Sequence, residues 1–203
     1  MLWKKQRAKL ATNDTTGCQL AAFFIAMKTY ICVASGPSLT KEDCAHASAS
    51  GAIVIAVNNS WILCPTLHHI YAGDHEWWQH NHKTIVTTAQ KWCGLSSTAK
   101  MYDLNVFESP LNGAYNSGQR AILLAKHLGA QKIILIGYDC AITDKTHWHG
   151  DHLNTRNPDQ QDTKRWHEEF HRVRQVVPEG MIVNCSRYTE LTAFRTGRLE
   201  DEL

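Results

Sequence analysis

The chain has 203 residues, 43% of them hydrophobic and 20% charged, with a formal charge of +2 at pH 7. That length suits one domain with a real core, and a charge so near neutral excludes a dominant nucleic-acid footprint while leaving room for a local basic patch. Its seven cysteines are scattered singly, without a CxxC pair. Several lie inside apolar runs, which points to buried reduced thiols and a cytoplasmic setting.

Residues 1–27 read as an N-terminal extension, peripheral or disordered. The start is basic, and the apolar run from Cys18 to Met27 is interrupted by Gln19. That run is too short to span a bilayer and no small-x-small cleavage site follows it, so no membrane span is expected. Residues 28–195 read as the domain and 196–203 as a C-terminal tail. A homo-oligomer is compatible with the sequence and is not required by it.

Tyr30 to Ala34 is a short apolar run, a buried strand that stops at Ser35-Gly36-Pro37-Ser38. Thr40 can then cap a helix, with Asp43 at the capping-box position. Strand, small-residue loop and helix start together form an arrangement that binds phosphate: Gly36 lets backbone approach an anion, and free N–H groups point at it. The stretch is neither a GxGxxG nor a P-loop. Ala52 to Val57 is a second buried strand, ending at Asn58-Asn59-Ser60. His69 to Ala72 is a third, and Asp74 after it can cap a short helix through Trp77-Trp78. The β-branched run Thr84 to Thr88 reads as a fourth strand, with a short strand near Lys100 to Leu104. Gln119 to Leu128 has helical spacing, opens behind Asn116-Ser117-Gly118 and ends at Gly129. Lys132 to Gly137 is a buried strand that ends at Tyr138-Asp139. A polar, His-rich loop spans 140–160. A helix from about Asp162 to Val177 carries Trp166, Phe170, Val173 and Val177 on one stripe, and Met181 to Cys185 is the last strand.

Strands alternating with helices, mostly as continuous apolar runs, predict an α/β, Rossmann-like domain with a mostly parallel sheet flanked by helices. Ligands of such sheets sit beyond the strands' C-terminal ends. Ser35-Gly36, Asn58-Asn59, Asp74 and Asp139 all fall there and should converge on one edge.

Residues 28–60 and 116–139, with the Gly-Pro-Ser-Leu loop, Asn58, Ser117-Gly118 and Asp139 in this order, resemble the CMP-sialic-acid-dependent bacterial sialyltransferases of glycosyltransferase family 42. The His-Gly stretch at 147–152 and the following helix and strand extend the likeness over roughly residues 28–194. The loop is also similar to that of uncharacterised bacterial and phage proteins and of the 6-hydroxymethylpterin diphosphokinase-like group; the phage group shares the His-Trp-His-Gly stretch. The resemblance implies a nucleotide-sugar donor, CMP-linked, held by Ser35, Gly36, Ser38 and Asn58, with Ser117 and Gly118 facing the same pocket; Pro37 and Asn59, beside them in the two loops, are further donor-site candidates. It also implies metal-independent transfer to a glycan or other hydroxyl acceptor, with a histidine general base. At the family's base position this chain has Asp151, between His149 and His152. Ala141 stands where the family has a tyrosine, and Ala114 where it has an arginine.

The residues themselves leave several chemistries open. His147-Trp148-His149-Gly150-Asp151-His152 is the densest ionisable cluster. His149 or His152 could take an acceptor proton, oriented by Asp151 or Asp139. Asp74 and Trp77 could hold the acceptor, through a carboxylate and an aromatic face. The same string reads HxHxDH, so a metal-dependent hydrolase with zinc on His147, His149 and His152 is an alternative. A non-catalytic phage nucleotide-binding or morphogenesis module is another.

Overall fold

The computed structural model describes residues 27–113, 116–151 and 156–203. The described residues build one sheet of eight strands in the order β5-β4-β3-β2-β1-β6-β7-β8. Every pairing in it is parallel. The central strands are β1 (Thr29–Val33), β2 (Ile53–Val57), β3 (His69–Tyr71) and β6 (Lys132–Ile136). These are the continuous apolar runs, and they are buried because helices cover both faces. The outer strands are β4 (Gln90–Cys93), β5 (Asn105–Val106), β7 (Ile182–Asn184) and β8 (Arg195–Thr196). The helices are α1 (Lys41–Ala49), α2 (His75–Asn81), α3 (Ser96–Tyr102), α4 (Ser117–His127), α5 (Gln160–Val173) and α6 (Leu199–Glu202). The arrangement is Rossmann-like. None of these helices is long and apolar enough to cross a membrane.

Strand alternation sorts the core into two layers. Tyr30, Cys32, Ile55 and Tyr71 pack with α4 and α5 through Ile122, Leu124, Phe170 and Val173. Ile31, Val33, Ala56 and Ile136 face the other way, onto Leu39, Cys44 and Ala47 around α1, and onto Leu199 of α6. The same side continues outward through Ile70, which pairs in register with Ala56, to Trp77 and Trp78 of α2. The six described cysteines are free and buried.

Three expectations are corrected. Thr84 to Thr88 is not a strand: it joins α2 to β4, and Val86 is 90% exposed. The strand that pairs with β3 is Gln90–Cys93, whose polar residues gave no β signal. Residues 100–104 hold the end of α3 rather than a strand, and Asp103 closes that helix with a φ of 54°. The last long helix stops at Val173, although Val177 is still buried in the same core. Residues 1–26, with their expected extension, lie outside the described residues.

The segment read as a tail completes β8, the edge strand of the sheet, and forms α6. Lys132 Nζ lies 2.7 Å from Glu202 Oε2, and Arg195 Nη2 donates to the same oxygen at 3.0 Å. Arg195 first, then Lys132, holds the Glu202 carboxyl down at about 2. A depressed carboxyl stabilises the fold above its unfolded value and loses that contribution as pH falls through the folded one. We therefore expect α6 to undock on acidification from pH 5 towards pH 2, and Glu202→Gln to remove that pH dependence, as read by amide hydrogen exchange of residues 195–203.

Candidate active site

The strand order reverses between β1 and β6: the chain runs outward from β1 through β5 on one side and from β6 through β8 on the other. The C-terminal ends of these two neighbours form the crevice in which such sheets hold ligands. A pocket opens there, lined by Ala34–Pro37 after β1, Val57 and Asn58 after β2, Asn116–Gly118 at the start of α4, and Gly137–Ala141 after β6. Thr146 and His147 close one side, and Trp166 and Phe170 of α5 another.

The floor is a cross-strand latch. Gly36 N–H donates to Gly137 O at 2.8 Å, and Ala34 N–H to Ile136 O at 2.9 Å. The Asp139 carboxylate accepts from Ser38 N–H (2.7 Å) and Ser38 Oγ–H (2.8 Å). This packing requires glycine at 36, because a Cβ there would sit 2.3 Å from Asp139 Oδ1 and 2.6 Å from Gly137 O. Behind the floor, Ser186 Oγ accepts from Tyr138 N–H (2.7 Å) and Asp139 O accepts from Glu190 N–H (2.8 Å). Burial raises the Asp139 carboxyl, opposed by the two Ser38 hydrogen bonds.

The walls are set by helix and turn chemistry. Asn116 caps α4 by accepting from Gln119 N–H at 2.7 Å. Glu169, buried on α5, receives both Asn116 N–H (3.2 Å) and Asn116 Nδ2–H (3.0 Å). The first turn of α4 is thereby fixed against the pocket, where the N–H groups of Ser117 and Gly118 have no intrahelical acceptor. That end of an 11-residue helix favours an anion. Asn58 adopts a left-handed φ of 48°, and Cys140 one of 50°. Both line the pocket, the sort of place where such backbone strain collects. Asn58 Oδ1 is buried without a hydrogen-bond partner, an acceptor that a ligand donor could satisfy.

No protein-family model, curated protein or solved structure matches the chain.

Among the residues singled out from sequence, Ser35, Gly36, Pro37, Asn58, Ser117, Gly118 and Asp139 line this one pocket. Their side chains are not equally available. Ser35 Oγ is engaged with Ser60 Oγ at 2.9 Å, and Ser117 Oγ accepts from Gly73 N–H at 3.0 Å. Ser38 N–H and the Ser38 hydroxyl both donate to Asp139 and brace the loop. Asp139 takes one Ser38 hydrogen bond on each carboxylate oxygen. Asn59 points away from the pocket, where its Oδ1 accepts from Trp77 Nε1 at 2.8 Å and its Nδ2 lies 3.4 Å from His149 Nε2. Trp77 is 3% exposed and packs edge-on to Trp78, so it presents no open face to a sugar. Asp74 sits at the N-cap of α2 without a side-chain capping bond and outside the pocket lining.

The histidine cluster is also redistributed. His147 lines the pocket, and His149 stacks on it at 5.1 Å between ring centroids, on the side of Asn59. Asp151 accepts from Thr146 Oγ1 at 2.6 Å and braces that turn. His152 lies outside the described residues. Among the described residues no three His, Cys, Asp or Glu side chains are grouped to hold a metal ion.

Sequence reasoning did not single out Gly137, Thr146 or Glu169, or Trp166 as a pocket residue. A glycine at a strand's end was the only available signal for the first, and Trp166 was legible only as part of an apolar stripe.

Proposed function

We propose that the chain is a nucleotide-sugar-dependent transferase that binds its donor at the switch-point pocket and passes the sugar to a hydroxyl acceptor. One observation carries this reading: the loops after β1 and β2 and the first turn of α4, far apart in sequence, meet around one anion-ready crevice. In the reaction the acceptor oxygen attacks the anomeric carbon, and the bond from that carbon to the phosphate oxygen breaks. The electron pair stays on the phosphate, facing the N–H groups of Ser117 and Gly118. The hydroxyl proton goes to His147, an imidazole at the pocket's edge.

The charge balance of the lining favours a donor linked through a single phosphate, as in a CMP-sugar. No described lining residue is Lys or Arg. A single phosphodiester carries one negative charge, which a helix N-terminus can meet, whereas a nucleoside diphosphate carries more and is usually clamped by basic side chains. The buried, unpaired cysteines suit a cytoplasmic enzyme.

Thermal shift with CMP, UDP and GDP tests the donor site. CMP should raise the midpoint most, with about 2.7 kcal/mol of stabilisation at a hundredfold excess over Kd. Asn58→Gly keeps the left-handed turn and removes the unpartnered oxygen, so it should fold normally and bind CMP about 3- to 10-fold more weakly. No stabilisation by any of the three nucleotides at millimolar concentration would overturn the reading.

A further inference from the structure

Trp166 stands apart from the rest of its stripe. Phe170, Val173 and Val177 follow it along α5 and the turn beyond, and all three are buried in the core beneath α4. Trp166 packs against the same core yet stays partly open, and it borders the pocket. Phe170 has edge-to-face partners in Tyr138 at 5.7 Å and Phe194 at 6.2 Å. The Trp166 ring has no aromatic partner of its own among the described residues. The indole is thus half-buried against the core and half-open at the border of the crevice.

The supports of α5 hold that ring in place. Asp159 caps the helix through Gln161 N–H and Asp162 N–H, and Asp162 returns the bond to Asp159 N–H at 3.0 Å. Glu169, three residues beyond Trp166, ties α5 to the N-cap of α4. The indole therefore keeps a set position relative to the Ser117-Gly118 anion site without a ligand. A fixed aromatic face beside an anion site suits a molecule with a planar ring at one end and a phosphate at the other.

We infer that Trp166 is the stacking platform for the donor's nucleobase, a role that rests on the nucleotide reading above. Stacking is tolerant of base identity because every base has a π-face. Trp166 would supply affinity for the base, while hydrogen-bonding groups such as Asn58 would supply selection.

The experiment compares CMP with ribose 5-phosphate, which has the phosphate and sugar but no base, by calorimetry. The wild-type chain should bind CMP at least about 10-fold more tightly than ribose 5-phosphate. Trp166→Ala should collapse that ratio towards one, with ribose 5-phosphate binding nearly unchanged. Trp166→Phe should keep most of the ratio and lose the CMP-induced quenching of tryptophan fluorescence. The fluorescence readout also serves if the alanine variant does not fold. An unchanged CMP to ribose 5-phosphate ratio in Trp166→Ala, or undiminished quenching in Trp166→Phe, overturns the stacking role while the nucleotide site stands. A wild-type chain that binds neither compound overturns both.

Discussion

Gly137→Ala should be severely destabilising. The residue follows β6 with a φ of 71°, and a Cβ there would lie 2.4 Å from Ala34 O and 3.1 Å from Ala34 C. Both are backbone atoms of the neighbouring β1 loop, held in place by the Ala34–Ile136 and Gly36–Gly137 hydrogen bonds, so no side chain can swing away. The left-handed conformation alone costs about 1–2 kcal/mol for an L-residue. Overpacking adds about 1–3 kcal/mol, and here it also forces apart the two central strands. Against a typical net stability of about 5–15 kcal/mol, the variant should show a much lower urea midpoint and no detectable nucleotide binding. Gly180→Ala supplies the control. Its φ is 83°, but a Cβ there would meet nothing within 4 Å, so that variant should lose only the conformational part. Equal losses in the two variants would mean that the β1–β6 junction can relax and that the crevice is not rigid.

The same junction shows why some of the molecule was legible in its sequence and some was not. Central parallel strands are covered on both faces, so Tyr30 to Val33, Ile53 to Val57 and Ile133 to Ile136 had to be apolar throughout and could be read directly. The edges obey no such constraint. Gln90-Lys91-Trp92-Cys93 is a strand because β3 offers it a ladder, while Thr84 to Thr88, with the better β propensity, pairs with no strand and buries only Ile85. Tertiary pairing overrode propensity in both places. At the site, the position of the crevice followed from topology, because loops after adjacent parallel strands share an edge. The partner of each polar group did not follow. Asn58 and Asn59 are neighbours of the same type, yet the left-handed turn at Asn58 sends one amide to the pocket and the other to Trp77 and His149. Spacing alone could not separate His147 from His149, since that depends on how the turn closes on Ser35 through Trp148 N–H.

Asp139 provides the second large effect, and its sign with pH can be worked out. Asp139→Ala strands Ser38 N–H and Ser38 Oγ–H, the two donors that hold the β1 loop against β6. Losing two charge-assisted hydrogen bonds at a side chain that is 1% exposed should cost about 2–4 kcal/mol. Asp139→Asn retains the shape and one acceptor oxygen for Ser38 N–H, and Ser38 Oγ can turn to accept from the new amide. It should therefore cost about 1 kcal/mol. Burial raises the folded-state pKa of this carboxyl above its unfolded value. Between the two values the folded chain binds more protons than the unfolded one, so stability falls as pH rises through that window and levels off above it. Glu169 is raised by burial as well and tilts the curve the same way, so the informative quantity is the difference between wild type and variant. Urea unfolding from pH 3.5 to pH 7 should show the Asp139→Asn penalty shrinking as pH rises, because the wild-type carboxylate bears a desolvation cost that the amide does not. A penalty that instead grows with pH would mean that the Ser38 hydrogen bonds outweigh burial, and that the loop is held by an ion the fold favours.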